Sequence, residues 1–157
     1  MPIRTIVKEG DPCLAKKCRT VTEFNSRLHT LLDDMHETLA DARGAGLAAP
    51  QVGVLRALAL VMLEDGSYLE IINPEIVEAS GTQDGAEGCL SVPGIFGMVE
   101  RPMKVKVEAQ DRHGKPFTYE AEGFTARAFC HEIDHLSGRL FTELVSEYLE
   151  PEDFEEE

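Results

Sequence analysis

The sequence predicts an α+β fold, in which helices and antiparallel strands occupy separate stretches of the chain. Two segments show the apolar spacing of amphipathic helices, and two pairs of extended segments lie between them, each pair joined by a short polar turn. Hairpins grouped between helices favour antiparallel pairing over alternating βαβ units. With 157 residues, 43% of them hydrophobic, the chain can enclose one core, and we expect residues 1–150 to form a single domain.

The first predicted helix covers residues 22–43. Its apolar residues recur at spacings of three and four, as one buried helix face requires: Phe24, Leu28, Leu31, Leu32, Met35 and Leu39. Thr22 is a suitable N-cap because its side-chain oxygen can accept a hydrogen bond from a free backbone N–H. Gly44 can adopt the left-handed conformation that often follows a helix.

Residues 44–51, Gly-Ala-Gly-Leu-Ala-Ala-Pro-Gln, predict a turn or an extended loop. Small side chains leave the backbone open to close approach by another chain, and proline stops a helix. A binding loop is favoured here, although a purely structural turn would also explain Gly44, Gly46 and Pro50.

Two hairpins are predicted in the middle of the chain. Residues 56–63 and 68–72 flank a polar turn, and this hairpin is expected to end at Asn73-Pro74. Residues 104–110 and 117–121 flank a second polar turn, and the alternation of charged and apolar residues in the first of them predicts one exposed face.

The second predicted helix covers residues 124–137 and contains His-Glu-Ile-Asp-His at 131–135. Residues four apart share one helix face, so His131 and His135 can point at the same metal ion, with Glu132 beside them to handle protons. The alternative is a surface helix with two unrelated histidines. Apolar neighbours on the same helix, Phe129 and Ile133, favour the metal site.

A catalytic metal site needs a third protein ligand and one open position. Cys89 is the strongest candidate because Gly88 lets the backbone bend around an ion and a thiolate would offset its charge. Cys130 points about a quarter-turn away from His131 on the helix, so we expect a packed side chain there. Structural roles are favoured for Cys13 and Cys18.

The charge balance and the apolar runs exclude several classes of protein. With 29 acidic and 15 basic residues, a formal charge of −14 argues against a direct nucleic-acid substrate, because affinity for phosphates comes largely from Lys and Arg. No apolar run is long enough to cross a membrane, no targeting segment is visible, and four cysteines are few for a disulfide framework. We therefore expect a cytoplasmic protein without a membrane partner, with residues 151–157 forming a frayed acidic tail.

Three segments, in this order, closely resemble the signature motifs of the peptide deformylases: residues 44–51, residues 87–91 (Glu-Gly-Cys-Leu-Ser) and residues 131–135. The likeness also runs through Asn73-Pro74 and residues 92–94, 100–102 and 111–114, so it covers nearly the whole chain to about Glu143. One departure is visible, because Cys130 stands where the family usually has Gln. That position precedes the metal ligands, so the departure bears on polar contacts of this side chain and leaves the ligands in place.

This resemblance implies an α+β domain in which antiparallel strands surround a central helix carrying the two histidines. It implies removal of the formyl group from the N-terminal formyl-methionine of nascent polypeptides, with release of formate. Cys89, His131 and His135 would bind the metal, and Glu132 would act as general base and acid. The family likeness also assigns Gln51 and the backbone N–H of Leu90 to the formyl oxygen.

The resemblance further implies one Fe²⁺ per chain, with Zn²⁺, Ni²⁺ or Co²⁺ as other occupants, and the ribosome exit region as a partner. Because the tail is acidic, ribosome binding is expected to be weak or independent of it. The formylated peptide is expected to lie extended beside Ala45, Gly46 and Gly88.

An apolar pocket is needed for the methionine side chain of the substrate. Its expected walls are Leu90, Phe124, Ala128 and the ring of His131, of which the last three share one helix face. A charge pair between Glu87 and Arg101 is expected to order the loop that carries Cys89.

Two other functions share some of these features. A zinc endopeptidase also contains His-Glu-x-x-His, but Cys89 and the lack of a longer histidine pattern in residues 136–141 argue against one. A non-catalytic metal-binding domain would usually fill all four metal positions with protein ligands, and the sequence offers only three.

Overall fold

The computed structural model describes residues 3–149, and within that range the chain forms two α-helices and eight β-strands. In chain order these are α1 (Ser26–Ala42), β1 (Gly46–Ala48), β2 (Leu58–Met62), β3 (Tyr68–Ser80), β4 (Gln83–Cys89), β5 (Val92–Arg101), β6 (Lys104–Gln110), β7 (Pro116–Glu122), α2 (Gly123–Leu136) and β8 (Val145–Tyr148). Short 3₁₀-helices cover Pro12–Ala15, Ala49–Val52 and Phe141–Glu143. The predicted tail, residues 151–157, lies outside the described residues.

The strands form two antiparallel sheets, which confirms the predicted α+β class. One sheet has five strands in the order β1-β2-β3-β6-β7, and the other has three in the order β4-β5-β8. Helix α2 packs against β1, β2, β6 and β7 of the first sheet and against β5 of the second. Strands of both sheets therefore contact the helix that contains residues 131–135. Within residues 3–149, neither helix has the length and apolar content needed to cross a bilayer.

Helix α1 differs from its prediction at both ends. The N-cap is Asn25 and not Thr22, because the Asn25 side chain accepts a hydrogen bond from the backbone N–H of Leu28 at 3.1 Å. At the other end Arg43, and not Gly44, takes the left-handed conformation, with φ 56°. The predicted apolar face is buried along the helix itself: Leu28, Leu31, Leu32, Met35 and Leu39.

Both predicted hairpins are present, but the first is longer than expected. Strand β3 continues to Ser80 instead of ending at Asn73-Pro74, because a register shift between Ile72 and Glu75 accommodates the proline within the pairing with β6. Asn73 has φ 53° at this point, in the left-handed region that asparagine tolerates better than most residues. The second hairpin, β6 and β7, pairs without interruption.

The segment predicted as a loop, residues 44–51, contains regular structure. Strand β1 pairs with β2 from Gly46–Val61 to Ala48–Ala59, and a 3₁₀-helix follows directly. Strand β1 forms by pairing with β2, which lies elsewhere in the sequence. The local sequence of residues 44–51 therefore lacks the alternating apolar pattern that would predict a strand. Strand β1 is an edge strand of the five-stranded sheet, because among the described residues it pairs only with β2.

The three-stranded sheet was not predicted, and its glycines explain why. Gly85, Gly88 and Gly97 interrupt the alternation expected of strands. In each case an added Cβ would lie within 3 Å of a side chain, respectively that of Arg127, Phe96 or Val145. Tertiary packing thus requires glycine at positions where local strand propensity would favour larger residues.

Candidate metal and active site

Three potential metal ligands converge between the end of β4 and helix α2. Cys89 is the last residue of β4, and His131 and His135 are one turn apart on α2. Their ligand atoms lie within 4.8 Å of one another, and Cys89 Sγ is 3.4 Å from His135 Nε2. Within residues 3–149 no fourth Cys, His, Asp or Glu joins this group. The arrangement therefore leaves a coordination position for water or substrate.

Helix α2 holds the two imidazoles in place because its opposite face is packed in the core. Phe129 is fully buried, and its ring stacks on Tyr119 with centroids 5.4 Å apart. On the ligand side, the rings of His131 and His135 are 5.1 Å apart at an angle of 69°. The His131 ring also stacks on Phe141 at 5.8 Å. Both imidazoles are thus confined by packing before any ion is bound.

Glu87 orients the His131 ring through Nδ1, the ring nitrogen that points away from Cys89 and His135. Its Oε1 atom accepts a hydrogen bond from His131 Nδ1 at 2.9 Å. With Nδ1 donating to a carboxylate, Nε2 of the same ring is left to bind a cation, the arrangement by which carboxylates commonly orient metal-binding histidines.

The predicted charge pair between Glu87 and Arg101 is present and belongs to a larger network. Arg101 donates to both carboxylate oxygens of Glu87, at 2.8 and 2.9 Å, and to Asp134 at 2.6 Å. Arg127 donates to Glu87 at 2.7 Å and to the Val99 carbonyl at 2.9 Å. Burial opposes ionisation of Glu87, but the hydrogen bonds from Arg101 and His131 outweigh it and lower its pKa to about 2.

Glu132 is buried next to the ligands with one carboxylate oxygen, Oε1, unpaired among the described residues. Gly46 of β1 passes so close to it that an added Cβ would lie 2.8 Å from Glu132 Cδ. Burial raises the pKa of Glu132 to about 7. The structure thus places a carboxyl group beside the ligand group and keeps it free of salt bridges.

The two imidazoles have different electrostatic surroundings. Burial alone would lower the pKa of His131, but its hydrogen bonds to Cys89 and Glu87 raise it to about 10. Burial lowers the pKa of His135 to about 3, and the neighbouring charge of His131 acts in the same direction. His135 Nδ1 has no hydrogen-bond partner within residues 3–149. A neutral imidazole with Nε2 directed at a thiol is the form that ligates a cation.

Gln51, predicted to contact the formyl oxygen, lies beside Cys89 and is only 1% exposed. Its Oε1 atom accepts a hydrogen bond from the backbone N–H of Ala48 at 2.9 Å, which fixes the orientation of the amide. The NH₂ group therefore faces the other way, donating to Ser91 Oγ at 3.2 Å and to Cys89 Sγ at 3.5 Å. Leu90, the other predicted donor, lies between Cys89 and Ser91 at the turn from β4 to β5.

A cavity of about 450 Å³ opens next to the ligand group and brings most of the predicted site residues together. The residues from the sequence prediction that line it are Ala45, Gly46, Gln51, Gly88, Cys89, Leu90, Phe124, Ala128, His131 and Glu132. His135 lies behind the others and does not line it. Phe124, expected as a wall of the methionine pocket, is 59% exposed and therefore stands at the rim.

Three further residues at this site were not predicted from the sequence. Arg127 lines the cavity and lies four residues before His131 on α2, so the same helical spacing that paired the histidines could have identified it. Phe96 also lines the cavity, next to Gly88, and no local pattern marks it. Ser91 is fully buried and orients Gln51, a role that depends on contacts between distant segments.

The remaining cysteines lie outside the ligand group, as predicted. Cys130 is buried in the core formed by α2 and the five-stranded sheet, and burial raises its pKa to about 11. Cys18 is buried in the same core. The Cys13 thiol donates to the Pro50 carbonyl at 3.2 Å.

The comparison with protein families and individual proteins gives one consistent match. The family model described as polypeptide deformylase matches residues 3–150. A peptide deformylase from Caldanaerobacter subterraneus subsp. tengcongensis is 53% identical over 155 residues, covering 99% of this chain and 97% of that protein. Peptide deformylase 1 from Bacillus cereus is 51% identical over 156 residues, covering 99% of this chain and 100% of that protein.

Solved structures agree with the sequence matches. The crystal structure of a peptide deformylase from Legionella pneumophila superposes with a TM-score of 0.88 at 45% identity, covering 92% of this chain and 86% of that one. The crystal structure of peptide deformylase from Thermotoga maritima gives a TM-score of 0.89 at 39% identity, covering 92% of this chain and 98% of that one. Both the sequence and the fold are therefore shared along almost the entire chain.

Proposed function

The chain belongs to the polypeptide deformylase family, and we propose that Cys89, His131 and His135 are the metal ligands of its active site. Its activity is the removal of the N-terminal formyl group from nascent polypeptides, and the family is metal-dependent. The observation that carries the residue assignment is the convergence of these three donors beside the buried, unpaired carboxylate of Glu132.

The donor set fits a divalent transition-metal ion, since it combines one sulfur and two imidazole nitrogens and His135 Nδ1 makes no competing contact among the described residues. Bound there, such an ion would lower the pKa of a water molecule toward about 7 and polarise a carbonyl oxygen. Three protein ligands favour a catalytic site over a structural one, which normally has four.

We assign the transfer of protons to Glu132. Its carboxylate would take a proton from the water that attacks the formyl carbon and would later give it to the departing amine as the C–N bond breaks, leaving formate. General acid–base catalysis of this kind contributes roughly 10²- to 10⁴-fold to a rate. The unpaired Oε1 atom supports this role, because no salt bridge has to break before the carboxylate meets water.

Gln51 and Leu90 are proposed to stabilise the negative charge that develops on the formyl oxygen. The NH₂ end of Gln51 is held toward Cys89 by the hydrogen bond that its other end receives from Ala48. The backbone N–H of Leu90 follows directly after Cys89. Loss of one such donor typically reduces turnover by about 10²- to 10³-fold.

The peptide is proposed to bind extended between two edge strands. β1 and β4 each pair with one strand among the described residues, and both line the cavity. Ala45, Gly46 and Gly88 expose backbone groups along these edges for strand-like pairing with the peptide. The methionine side chain would then lie against Phe124 and Ala128 on α2.

Fe²⁺ is proposed as the resident ion, one per chain, with Zn²⁺, Ni²⁺ and Co²⁺ as other occupants of the same ligands. Support comes from the family likeness and from the Cys/His/His ligand set, which accepts all four ions. Anaerobic purification followed by metal analysis should find iron near one equivalent in the active protein. Active protein containing only another metal would overturn this part of the proposal.

A cytoplasmic location is also proposed, with residues 1–150 as one catalytic domain and the ribosome exit region as a partner. Nascent chains are the substrate, and the four free cysteines suit a reducing compartment. The family match over residues 3–150 supports the domain limits.

The substitution Glu132→Gln tests the residue assignment because it keeps the side-chain shape and removes the proton carrier. Formate release from formyl-Met-Ala-Ser should fall roughly 10²- to 10⁴-fold while the bound metal is retained. The control Glu120→Gln, at an exposed position on β7, should leave both unchanged. Full activity of the Glu132→Gln protein would refute the role, and cleavage of internal peptide bonds by the wild type would favour an endopeptidase.

A further inference from the structure

Strand β4 carries Cys89, but it packs little against the helix that carries the two histidines. Helix α2 packs mainly against strands of the five-stranded sheet and, in the three-stranded sheet, against β5. The position of Cys89 relative to His131 and His135 therefore depends on side chains that reach from one element to the other. One of these is Arg127, which is buried and lies four residues before His131 on α2.

The Arg127 side chain reaches from α2 to the backbone of both neighbouring strands. Its Nη1 atom donates to the Val99 carbonyl of β5 at 2.9 Å and to the Gly85 carbonyl of β4 at 3.3 Å. Its Nη2 atom donates to the Gln83 carbonyl, at the start of β4, at 3.5 Å. One guanidinium group thus holds the backbone of two strands at a fixed distance from the helix.

The same guanidinium group also holds Glu87, which orients the first histidine. Nη1 of Arg127 donates to Glu87 Oε2 at 2.7 Å, while Glu87 Oε1 accepts from His131 Nδ1 at 2.9 Å. Arg101 approaches the same carboxylate, but among the described residues its side chain donates only to the side chains of Glu87 and Asp134. Arg127 is therefore the arginine that joins strand backbone, Glu87 and α2.

Gly85 provides the space that this guanidinium group occupies. An added Cβ at Gly85 would lie 2.7 Å from Arg127 Nη2 and 2.9 Å from its Cζ. The backbone itself does not require glycine here, because Gly85 is not among the residues with a positive φ. The packing of Arg127 against β4 is thus the reason that a side chain is excluded at position 85.

We infer that Arg127 is a positioning residue for the metal site, and that its hydrogen bonds to β4 and β5 set the separation of Cys89 from His131 and His135. It acts through the strand backbone and through Glu87, and it is not one of the three ligands. The inference rests on the proposed function, because it takes these three residues as the ligands. Groups that orient metal ligands typically contribute roughly 10- to 100-fold to metal affinity.

The test measures Co²⁺ binding by the full chain together with the spectrum of the Co²⁺-substituted protein. Arg127→Met keeps an apolar side chain and removes the guanidinium group. It should weaken Co²⁺ binding roughly 10- to 100-fold, as measured by competition with a chromophoric chelator. The thiolate-to-cobalt charge-transfer band should lose intensity or shift, because Cys89 moves relative to the histidines. Circular dichroism identifies the temperature at which all variants are folded, and binding is measured there.

Arg112→Met is the matched control for a purely structural effect. Arg112 also joins a helix to a sheet, through Asp33 of α1 and Glu70 of β3, but it lies outside the active-site cavity. This control should lose stability and still bind Co²⁺ with the affinity and spectrum of the wild type. The same loss of Co²⁺ affinity in Arg112→Met as in Arg127→Met would overturn the inference, because general destabilisation would then explain both.

Arg127→Lys separates the positive charge from the hydrogen-bonding geometry. Lysine keeps the charge near Glu87 but lacks the planar fork that reaches the carbonyls of both strands. The Arg127→Lys protein should therefore bind Co²⁺ nearly as weakly as Arg127→Met does. Wild-type affinity in this protein would overturn the inference, since charge alone would then be sufficient.

Gly85→Ala approaches the same contact from the strand. The new methyl group should push the guanidinium group away from its partners and weaken Co²⁺ binding in the wild-type background. In the Arg127→Met background, where that group is absent, the same change should have little effect. Equal effects in the two backgrounds would overturn the inference. Gly85→Ala and Arg127→Lys also give an answer if Arg127→Met is too unstable to purify.

The wild-type spectrum separates this inference from the proposed function. A wild-type protein that binds Co²⁺ without a thiolate charge-transfer band would refute the ligand assignment, and this inference with it. A wild-type protein that shows the band, together with an Arg127→Met protein of unchanged affinity and spectrum, would overturn this inference alone.

Discussion

Gly46 is the residue whose missing side chain makes room for Glu132. A Cβ at this position would lie 2.8 Å from Glu132 Cδ and 2.9 Å from its Cγ, closer than packed carbons approach. Gly46→Ala should therefore displace the carboxylate and reduce kcat/KM for formyl-Met-Ala-Ser by about 10²-fold, because a shift of about 1 Å is costly at a reacting centre. Overpacking should also lower the free energy of unfolding by about 1 to 3 kcal/mol.

A double-mutant cycle on stability tests the cause of that loss. Glu132→Ala removes the atoms with which the new methyl group would collide. Adding Gly46→Ala to this background should cost clearly less than in the wild type, as measured by urea denaturation of both pairs. An equal cost in both backgrounds would show that the contact with Glu132 is not responsible for the loss.

At the scale of single residues, the sequence predicted candidate site residues only where they lie inside a recognisable motif. Cys89, His131 and Gln51 could be named because their residue types carry the chemistry and because family likeness covers them. Ser91 and Phe96 could not, since their roles arise from contacts with Gln51 and Gly88 that only the folded chain creates.

The link between α1 and β1 is held in place by Tyr68 of β3. The Tyr68 hydroxyl donates to the Gly44 carbonyl at 3.0 Å, and Gly44 lines the active-site cavity. Tyr68→Phe should loosen the edge along which the peptide is proposed to bind, raising KM several-fold with a smaller effect on kcat. Loss of this hydrogen bond should lower the free energy of unfolding by about 1 kcal/mol.

The matched control for that prediction is Tyr148→Phe on β8, where the side chain is 55% exposed and does not line the cavity. Steady-state kinetics with formyl-Met-Ala-Ser and thermal unfolding should leave the control indistinguishable from wild type. A Tyr68→Phe protein with unchanged KM would mean that Gly44 is positioned well enough by the rest of its connection.

A charged cluster fastens α1 to the five-stranded sheet. Glu70 of β3 accepts hydrogen bonds from His36 of α1 at 2.8 Å and from Arg112 in the β6–β7 turn, and Arg112 also pairs with Asp33 of α1. Burial opposes ionisation of Glu70, but the bonds from His36 and Arg112 outweigh it and lower its pKa to about 2. The usual value for such a carboxyl is 4.5.

The sign of the resulting pH dependence follows from this depressed pKa. Because the folded protein holds Glu70 ionised more strongly than the unfolded chain does, the stabilisation is complete above about pH 5 and is lost as pH falls toward about 2. It amounts to at most roughly 3 kcal/mol. Glu70→Gln should flatten the acid limb of stability against pH relative to wild type, whereas Glu120→Gln should not. Parallel curves for wild type and Glu70→Gln would refute the linkage.

At the scale of elements, the sequence predicted the helices and strands that have a strong local apolar pattern. It missed the strands that form only through pairing with distant segments. Helix α2 and the β6–β7 hairpin were found within one residue at most ends, because their periodicity is uninterrupted. The start of α1 was wrong by a few residues, since Asn25 caps the helix better than Thr22. Strands β4 and β5 were missed because glycines required by packing interrupt the strand pattern. Strand β1 was predicted as a turn or an extended loop because it forms only by pairing with β2.

Across the whole molecule, the candidate ligands come from two different layers. Cys89 ends a strand of the three-stranded sheet, whereas His131 and His135 belong to α2, whose core face is packed on the five-stranded sheet. The cavity lies where these layers meet, so residues from both sheets line it. An ion held by all three side chains would therefore join parts of the chain that are otherwise connected by packing and by the Glu87 network.

Removal of the metal should consequently destabilise the entire fold and not only abolish activity. A ligand that binds the folded state alone adds about 4 kcal/mol at about 1,000 times its dissociation constant, so chelation should lower the free energy of unfolding by that order. Urea denaturation with and without a chelator measures the difference, and restoring the ion should recover it. In a His135→Ala protein, which lacks one of the three proposed ligands, the chelator should have little further effect. The contrary result is a wild type that unfolds at the same urea concentration with and without the chelator while the chelator abolishes its formate release. That result would show that the ion is needed for catalysis and does not stabilise the contact between the two layers.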